Sequence, residues 1–501
     1  MAPLALFVGL DIGTGGARAM AVSATGDVVA TGQATFELEH QVHQGKWHEQ
    51  SPHSWWQAAV GALQRMGQHL TELRVAPETL CAIAVDGTSG TVVGVDVDGR
   101  ETGAGIMYND GRAVKQAERL NLLASRFCNK VGYQFAPSFA LAKILWLAEN
   151  APQQFHTARY FIHQADFITS RLTGVPAVSD YSNALKTGYD LVDDRWPTWI
   201  NELSDVREKL PRVVAPGTRI GEIHGPAAAA CHLPEGLPVI AGATDGTAGF
   251  LASGANQPGD DSTTLGTTLV FKRLSKTPAH DTQGQVYSHK LPGGLWLPGA
   301  ASNTGSQWIR TGYTDCDLEQ LSAQALQYLP SEILCYPLTT QGERFPFCCD
   351  RAAEFCEPAT NHSVQRFAAS LQGTAFIERL AYEALDQVAC ETTSKRCDIF
   401  ATGGGSQNDH WLQLRADITG RAVHRPACPE SAFGSAILAA AGAGVGDVWQ
   451  ASRQMVHIEK TMVPDPSRKD QYDTYYERFK SLLHAKGYLR NSPASGVGTP
   501  L

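Results

Sequence analysis

Apolar residues fill positions 4–10, stop at Asp11, return over 17–22 and resume from Val28. The interruptions are turn-forming: Asp11-Ile-Gly-Thr-Gly-Gly16, then Thr25-Gly-Asp27. This pattern predicts strand, glycine-rich turn, strand, turn, strand. Ser51-Pro52 predicts a helix start, with serine as N-cap and proline at the first helical position. Trp55, Trp56, Ala59, Val60 and Leu63 then keep helical spacing. A short apolar run over 80–85 reads as a buried strand that ends in Asp86-Gly-Thr-Ser-Gly90 and is followed by another over 91–97. Strands and helices alternate to about residue 246, as in an α/β layer architecture.

A second cycle begins near residue 247. Residues 262–272 form another strand pair around a Gly-Thr turn, and a helix is expected over 364–385. A strand over 397–401 runs into Thr402-Gly-Gly-Gly405, a helix follows over 409–418, and 431–441 is a helix of small residues. Each half therefore opens with a hairpin carrying a Gly/Thr turn, a duplication of organisation rather than of residue identity. The expected domains are 1–246 and 247–455. Residues 456–501 then form a linker after Val463-Pro-Asp-Pro466, an amphipathic helix over 469–486 and a disordered Ser/Gly/Pro-rich end.

Composition narrows the class. A chain of 501 residues favours two domains, and 43% hydrophobic with 18% charged residues is a globular balance. The net charge of -9 carries no basic arm or stripe, which argues against nucleic acid as a partner. The 11 cysteines are odd in number and lack paired spacing, so reduced thiols in a cytoplasm fit better than disulfides or zinc. No stretch has the apolar length to cross a membrane, and the short N-terminal run reads as a strand, not a signal peptide.

Four constellations carry chemistry. Asp11 with Gly13, Thr14, Gly15 and Gly16 follows a buried strand. Glycines let backbone N–H groups face an anion, and an acid at the strand end can hold Mg²⁺ beside phosphates. An ordinary hairpin turn competes evenly with that reading. Leu265-Gly266-Thr267-Thr268 is the matching turn of the second half. Asp245, flanked by small residues after the apolar run 237–241, is a carboxylate that a substrate can approach closely, suited to take a proton from a sugar hydroxyl. A helix-capping aspartate is the plain alternative there. Gly403, Gly404 and Gly405, with Asn408 after them, offer a flat backbone for a purine, or simply a tight turn. There is no Walker loop, dinucleotide fingerprint or hydrolase elbow, and the histidines of His48-Glu-Gln-Ser-Pro-His53 are spaced one residue too far for a zinc-protease helix.

With these motifs in order along nearly its whole length, the chain resembles the FGGY carbohydrate kinases. The matching stretches are Gly9-Leu-Asp-Ile-Gly-Thr14, Trp47-His-Glu-Gln50, Trp55-Trp56, Tyr108-Asn-Asp-Gly-Arg112 and Lys143-Ile-Leu-Trp146. They continue through Asp180-Tyr-Ser-Asn183, Asp245, Leu265-Gly-Thr267, Gly403-Gly-Gly405 and Phe433-Gly-Ser-Ala436. The resemblance implies two ribonuclease H-like, actin-type domains with the active site in the cleft between them, and ATP with Mg²⁺ as cofactors. Carried over by position, Asp245 corresponds to the catalytic base and Asp11 to the metal-associated carboxylate. Gly13, Thr14, Gly266 and Thr267 correspond to phosphate-contacting turns, and Gly404, Gly405 and Asn408 to the adenine platform. It leaves room for a homodimer.

The acceptor is read from the turn after 83–85. Xylulose kinases tend to carry Met-His there and glycerol kinases Arg-Glu, whereas this chain has Ser89-Gly90 within Asp86-Gly-Thr-Ser-Gly-Thr91. That looks more like the Asp-x-Thr of ribulose kinases, so a ketopentose is expected, D-ribulose before D-xylulose. Ala140 also departs from the usual Pro, Ser or Thr. Asp110, with Arg112, is expected to line the same pocket, although so close a pair is as often structural. The rival readings are a polyol kinase, a sugar-binding regulator and a non-catalytic nucleotide switch.

Overall fold

The computed structural model describes residues 4–36, 47–281, 284–389 and 397–489. The disordered end expected at 491–501 lies outside them. The chain forms two compact units. The first comprises Met1–Pro258, Leu274–Pro298 and Pro426–Ile458, and the second Gly259–Arg273, Gly299–Arg425 and Glu459–Leu501. The units are interleaved in sequence, whereas the expected domains 1–246 and 247–455 are each continuous.

The first unit is built on β1 (Leu6–Ile12), β2 (Gly16–Ser23), β3 (Val28–Thr35), β4 (Leu80–Gly87), β5 (Arg219–Glu222) and β6 (Pro238–Ile240), in the order β5-β6-β4-β1-β2-β3. β1 pairs antiparallel with β2 and parallel with β4, and β4 pairs parallel with β6. Consecutive residues of β1 are buried, because both faces of the sheet are covered. The helix Pro52–Glu72 sits against one face, its Trp55 completely buried in the core around β1 and β4. On the other lies Ser431–Gly442, so close that a Cβ on Gly9 would overlap the Ala432 carbonyl. Only a helix of small residues can seat that tightly, which explains the composition of 431–441. Beside this sheet, a four-stranded sheet of Glu49–Gln50, Gly105–Ile106, Val92–Val95 and Tyr160–His163 supports a separate aromatic cluster around Phe127, Tyr133, Phe135 and Phe139.

The second unit repeats the opening device. β7 (Asp261–Leu265) and β8 (Leu269–Arg273) form a hairpin, β8 pairs antiparallel with β9 (Trp296–Ser302), and β7 pairs parallel with β10 (Ile399–Thr402). The 26-residue helix Ser363–Val388 and the helix Asp409–Thr419 cover the sheet, held by the buried ion pair of Glu378 and Arg415 at 2.6 Å.

Two strands run further than hydrophobicity predicts. β1 continues through Asp11 and Ile12, and β4 through Asp86 and Gly87, because the ladder Asp11↔Asp86, Ile12↔Gly87 stays intact. Both aspartates are therefore strand residues, not turn residues.

Candidate active site

At the carboxyl end of the first sheet the topology gathers acids. Asp11 and Asp86 are directly paired on adjacent parallel strands. The bridge Gly87↔Thr244 extends the same order to β6, so Asp245 opens the helix Asp245–Leu251 beside them. Asp86 is fully buried; Ser435 Oγ donates to its Oδ2 at 2.6 Å, while its Oδ1 receives no donor among the described residues. Burial, followed by the adjoining Asp11, pushes the Asp86 carboxyl well above the ordinary carboxylate range. Burial also raises Asp11, and its hydrogen bond with Asp86 pulls it back. Two acids so placed share a proton or face a cation.

Asp245 is half-buried, with Gly246 N donating to its Oδ1 at 2.6 Å. Its backbone is fixed from two sides: Ser431 Oγ donates to its carbonyl at 3.0 Å, and Thr244 N donates to Ser182 Oγ at 2.9 Å. The helix Ser431–Gly442 thus supplies a hydroxyl to Asp86 and another to Asp245, contributions that the sequence reading missed. Their only trace was the small-residue composition and the Phe433-Gly-Ser-Ala436 motif.

The turn after β1 is held as well. Gly13 N donates to the Gly16 carbonyl at 2.9 Å, and Gln50 Nε2 donates to the Thr14 carbonyl at 2.8 Å. Gln50 Oε1 in turn accepts from Trp55 Nε1 at 2.8 Å. The Thr14 hydroxyl donates to Tyr108 OH at 3.5 Å.

Ser89 and Gly90 follow β4 in the same unit. Successive carbonyls there are anchored by side chains: Ser89 O by Lys186 Nζ at 3.1 Å, Gly90 O by Lys143 Nζ at 3.0 Å and Thr91 O by His163 Nδ1 at 3.0 Å. Burial lowers Lys143 to about 7 and His163 to about 4. Asp110 is fully buried, and its two oxygens accept from Arg112 Nε at 2.9 Å, Arg112 Nη2 at 2.8 Å and His48 N at 2.6 Å. Arg112 lies against both Trp47 and Trp146, its guanidinium carbon 4.2 and 4.9 Å from the ring centroids. Asp110 is thereby committed to neighbours within the protein.

In the second unit Gly266 is half-buried and Thr267 exposed. The Gly266 carbonyl accepts from Ser306 N at 2.9 Å and Ser306 Oγ at 2.6 Å. Behind this turn stands Glu343, buried, accepting from Ser302 Oγ (2.8 Å), Asn303 N (2.6 Å), Thr304 Oγ1 (2.9 Å) and Tyr336 OH (3.0 Å). No motif singled Glu343 out. Gly403 has φ +82° and its Cα packs on the Leu265 backbone, so only glycine fits there. Gly404 is exposed, and Gly405 packs on the Leu265 side chain. Asn408 caps the next helix, its Oδ1 accepting from Trp411 N at 3.0 Å while Nδ2 donates to Ser322 Oγ at 2.7 Å. Among the described residues, no group of three or more His, Cys, Asp or Glu forms a metal site, and no helix is long and apolar enough to cross a membrane.

Comparison with known proteins accounts for this arrangement. Models of the N-terminal and C-terminal domains of the FGGY family of carbohydrate kinases match residues 6–252 and 262–443. A xylulose kinase of Lactococcus lactis is 25% identical over 95% of this chain and 96% of its own. An autoinducer-2 kinase of Escherichia coli is 26% identical over 94% and 93%. The crystal structure of a xylulose kinase from Rhodospirillum rubrum superposes with a TM-score of 0.83 at 26% identity, covering 96% of this chain and 99% of that one.

Proposed function

The chain belongs to the FGGY family of carbohydrate kinases, phosphotransferases of α/β fold related to actin-type ATPases, and we propose that within it this protein phosphorylates the terminal hydroxyl of a ketopentose. The observation that carries the proposal is Asp245 standing at the end of the parallel strands whose neighbouring ends hold Asp11 and Asp86. D-ribulose is the first candidate, supported by the Asp86-x-Thr88 sequence at the end of β4, and D-xylulose the second, supported by the names of the relatives. On this reading residues 1–246 serve the sugar and 247–455 the nucleotide, and the enzyme works in the cytoplasm.

Asp245 takes the proton of the terminal hydroxyl as its oxygen forms a bond to the γ-phosphorus of ATP. The bond from that phosphorus to the bridging oxygen breaks, and ADP leaves. Gly13, Thr14, Gly266 and Thr267 hold the phosphates through backbone N–H and hydroxyl donors, Gly404 and Gly405 face the purine, and Asn408 shapes that platform. Ser89 and Gly90 contact the sugar, and Asp110 braces their turn through the loop it shares with Arg112. Asp11 and Asp86 suit Mg²⁺: Asp86 Oδ1 is a buried carboxyl oxygen that receives no donor among the described residues, which a cation would satisfy. A bound Mg²⁺ would neutralise charge on the transferred phosphoryl group. A coupled assay of ADP release against D-ribulose, D-xylulose, L-ribulose, L-xylulose, ribitol and glycerol tests the reading. ADP release that no pentulose stimulates overturns it.

A further inference from the structure

After the strand Val178–Asp180 the chain makes two short helical turns, Tyr181–Ala184 and Leu185–Thr187. Three bonds fix their course. Asp180 accepts from Ser182 N at 2.8 Å, Ser182 Oγ accepts from Thr244 N at 2.9 Å, and Thr187 Oγ1 donates to His163 Nε2 at 2.9 Å. The His163 orientation follows from its other nitrogen, which must donate to the Thr91 carbonyl. Between these anchors Lys186 is carried over the acceptor turn. Its Cδ lies 2.9 Å from where a Cβ on Gly90 would stand, and its Nζ 3.7 Å. Gly90, with φ +93°, is the residue that gives this side chain passage.

The three groups that anchor the turn are not equivalent. Lys143 and His163 are sealed in the interior, at 0% and 1% exposure. Lys186 keeps part of its surface open, and its Nζ donates to Ser89 O. An ammonium has three donors, so this bond leaves others to offer. Ser89 Oγ, in the same turn, is buried and meets no partner among the described residues. Burial pushes the Lys186 ammonium down, and the Asp245 carboxylate opposes that shift, which sets the cation in the field of the base. The cation is thus partly compensated already. A neutral dipole suits such a place better than a second full negative charge.

We propose that Lys186 is the specificity-determining residue of the acceptor subsite, reaching over Gly90 to donate to the carbonyl oxygen of a ketose whose far hydroxyl Asp245 deprotonates. The proposal rests on the ketose-kinase reading and adds what that reading lacks, a group that tells a ketose from its alditol. A ketone oxygen only accepts, matching an ammonium that only donates. The hydroxyl of an alditol at that carbon brings a hydrogen that needs an acceptor of its own.

The experiment is the ratio of kcat/KM for D-ribulose and ribitol in the wild type and in Lys186→Met, with ATP affinity measured by calorimetry. The substitution should lower kcat/KM for the ketose by roughly 30-fold and for the alditol by about threefold, leaving ATP affinity in place. Equal losses on both acceptors, or no loss, overturn the assignment, as does a wild type that prefers D-ribonate to D-ribulose. Should Lys186→Met fail to fold, Lys186→Leu, which also removes the donor, is read by the same ratio. If the wild type uses a different ketose, the ketopentose reading fails alone, and that ketose and its alditol decide the role of Lys186. A wild type active only on alditols overturns both.

Discussion

The two hairpins invite a residue-by-residue comparison. Asp11-Ile-Gly-Thr14 in the first unit corresponds to Thr264-Leu-Gly-Thr267 in the second, and each strand is flanked by a parallel neighbour. At the matching register Asp11 faces Asp86, whereas Thr264 faces Thr402, their hydroxyls hydrogen-bonded at 2.8 Å. The second unit does hold a buried strand acid, Asp261, but it is neutralised by Arg273 at 2.8 Å and Arg421 at 2.6 Å. One scaffold thus ends in a neutral hydroxyl pair and the other in two acids that have no ion-pair partner among the described residues. The backbone is shared, and the change of chemistry is confined to one pair of side chains. An unneutralised acid pair in a buried place is costly unless it meets a ligand, and for that reason it marks function.

The strongest way to break this comparison is Asp245→Asn, which keeps shape and removes the base. It should lower kcat by roughly 100-fold or more with ATP affinity intact; near-normal turnover would remove Asp245 from the mechanism. Asp86→Asn comes next. A loss of roughly 30-fold, with a higher Mg²⁺ concentration needed for half-maximal rate, is expected if the acid pair serves a cation. An unchanged Mg²⁺ profile in both Asp86→Asn and Asp11→Ala would reduce the pair to a structural feature. In the second unit, Glu343→Gln weakens the support of the Gly266 turn and should raise KM for ATP by about tenfold. KM for the acceptor should stay put, and a shift in both would mean general loosening.

The smallest effect on turnover belongs to His163, which instead shapes acid stability. Burial holds the folded imidazole neutral down to about 4, while in the unfolded chain it takes a proton near its ordinary value of 6.5. As pH falls through that window the unfolded state alone binds a proton, so stability declines by roughly 3 kcal/mol. In His163→Gln this part of the slope should vanish from chemical denaturation curves taken between those pH values.

Much of the site could be read along the chain because its turns are local. The Asp11–Gly16 and Gly266–Thr267 bends, the Gly403–Gly405 run and Asp245 all follow strands whose apolar runs are visible, and a glycine that must be glycine leaves its mark in the sequence. Asp86 was read as the start of a turn, because hydrophobicity ends at Val85 while the hydrogen-bond ladder does not. Ser431, Ser435, Lys186 and Glu343 left fainter signs. Each acts on a residue far away in sequence, and an ordinary serine or lysine looks the same wherever it points. Asp110 illustrates the reverse: it stands in a family motif, yet its oxygens are taken by Arg112 and His48 N.

By itself, then, the sequence determined the strand–turn–strand openings, the α/β alternation and the family, since these depend on periodicity and on backbone conformations that few residues allow. Tertiary structure alone decided that Asp11 and Asp86 meet, that the helix Ser431–Gly442 returns to the first sheet, and that Lys186 crosses Gly90. Those outcomes depend on strand register and on where a helix finds room to pack. Both are settled only when distant segments compete for the same buried surface.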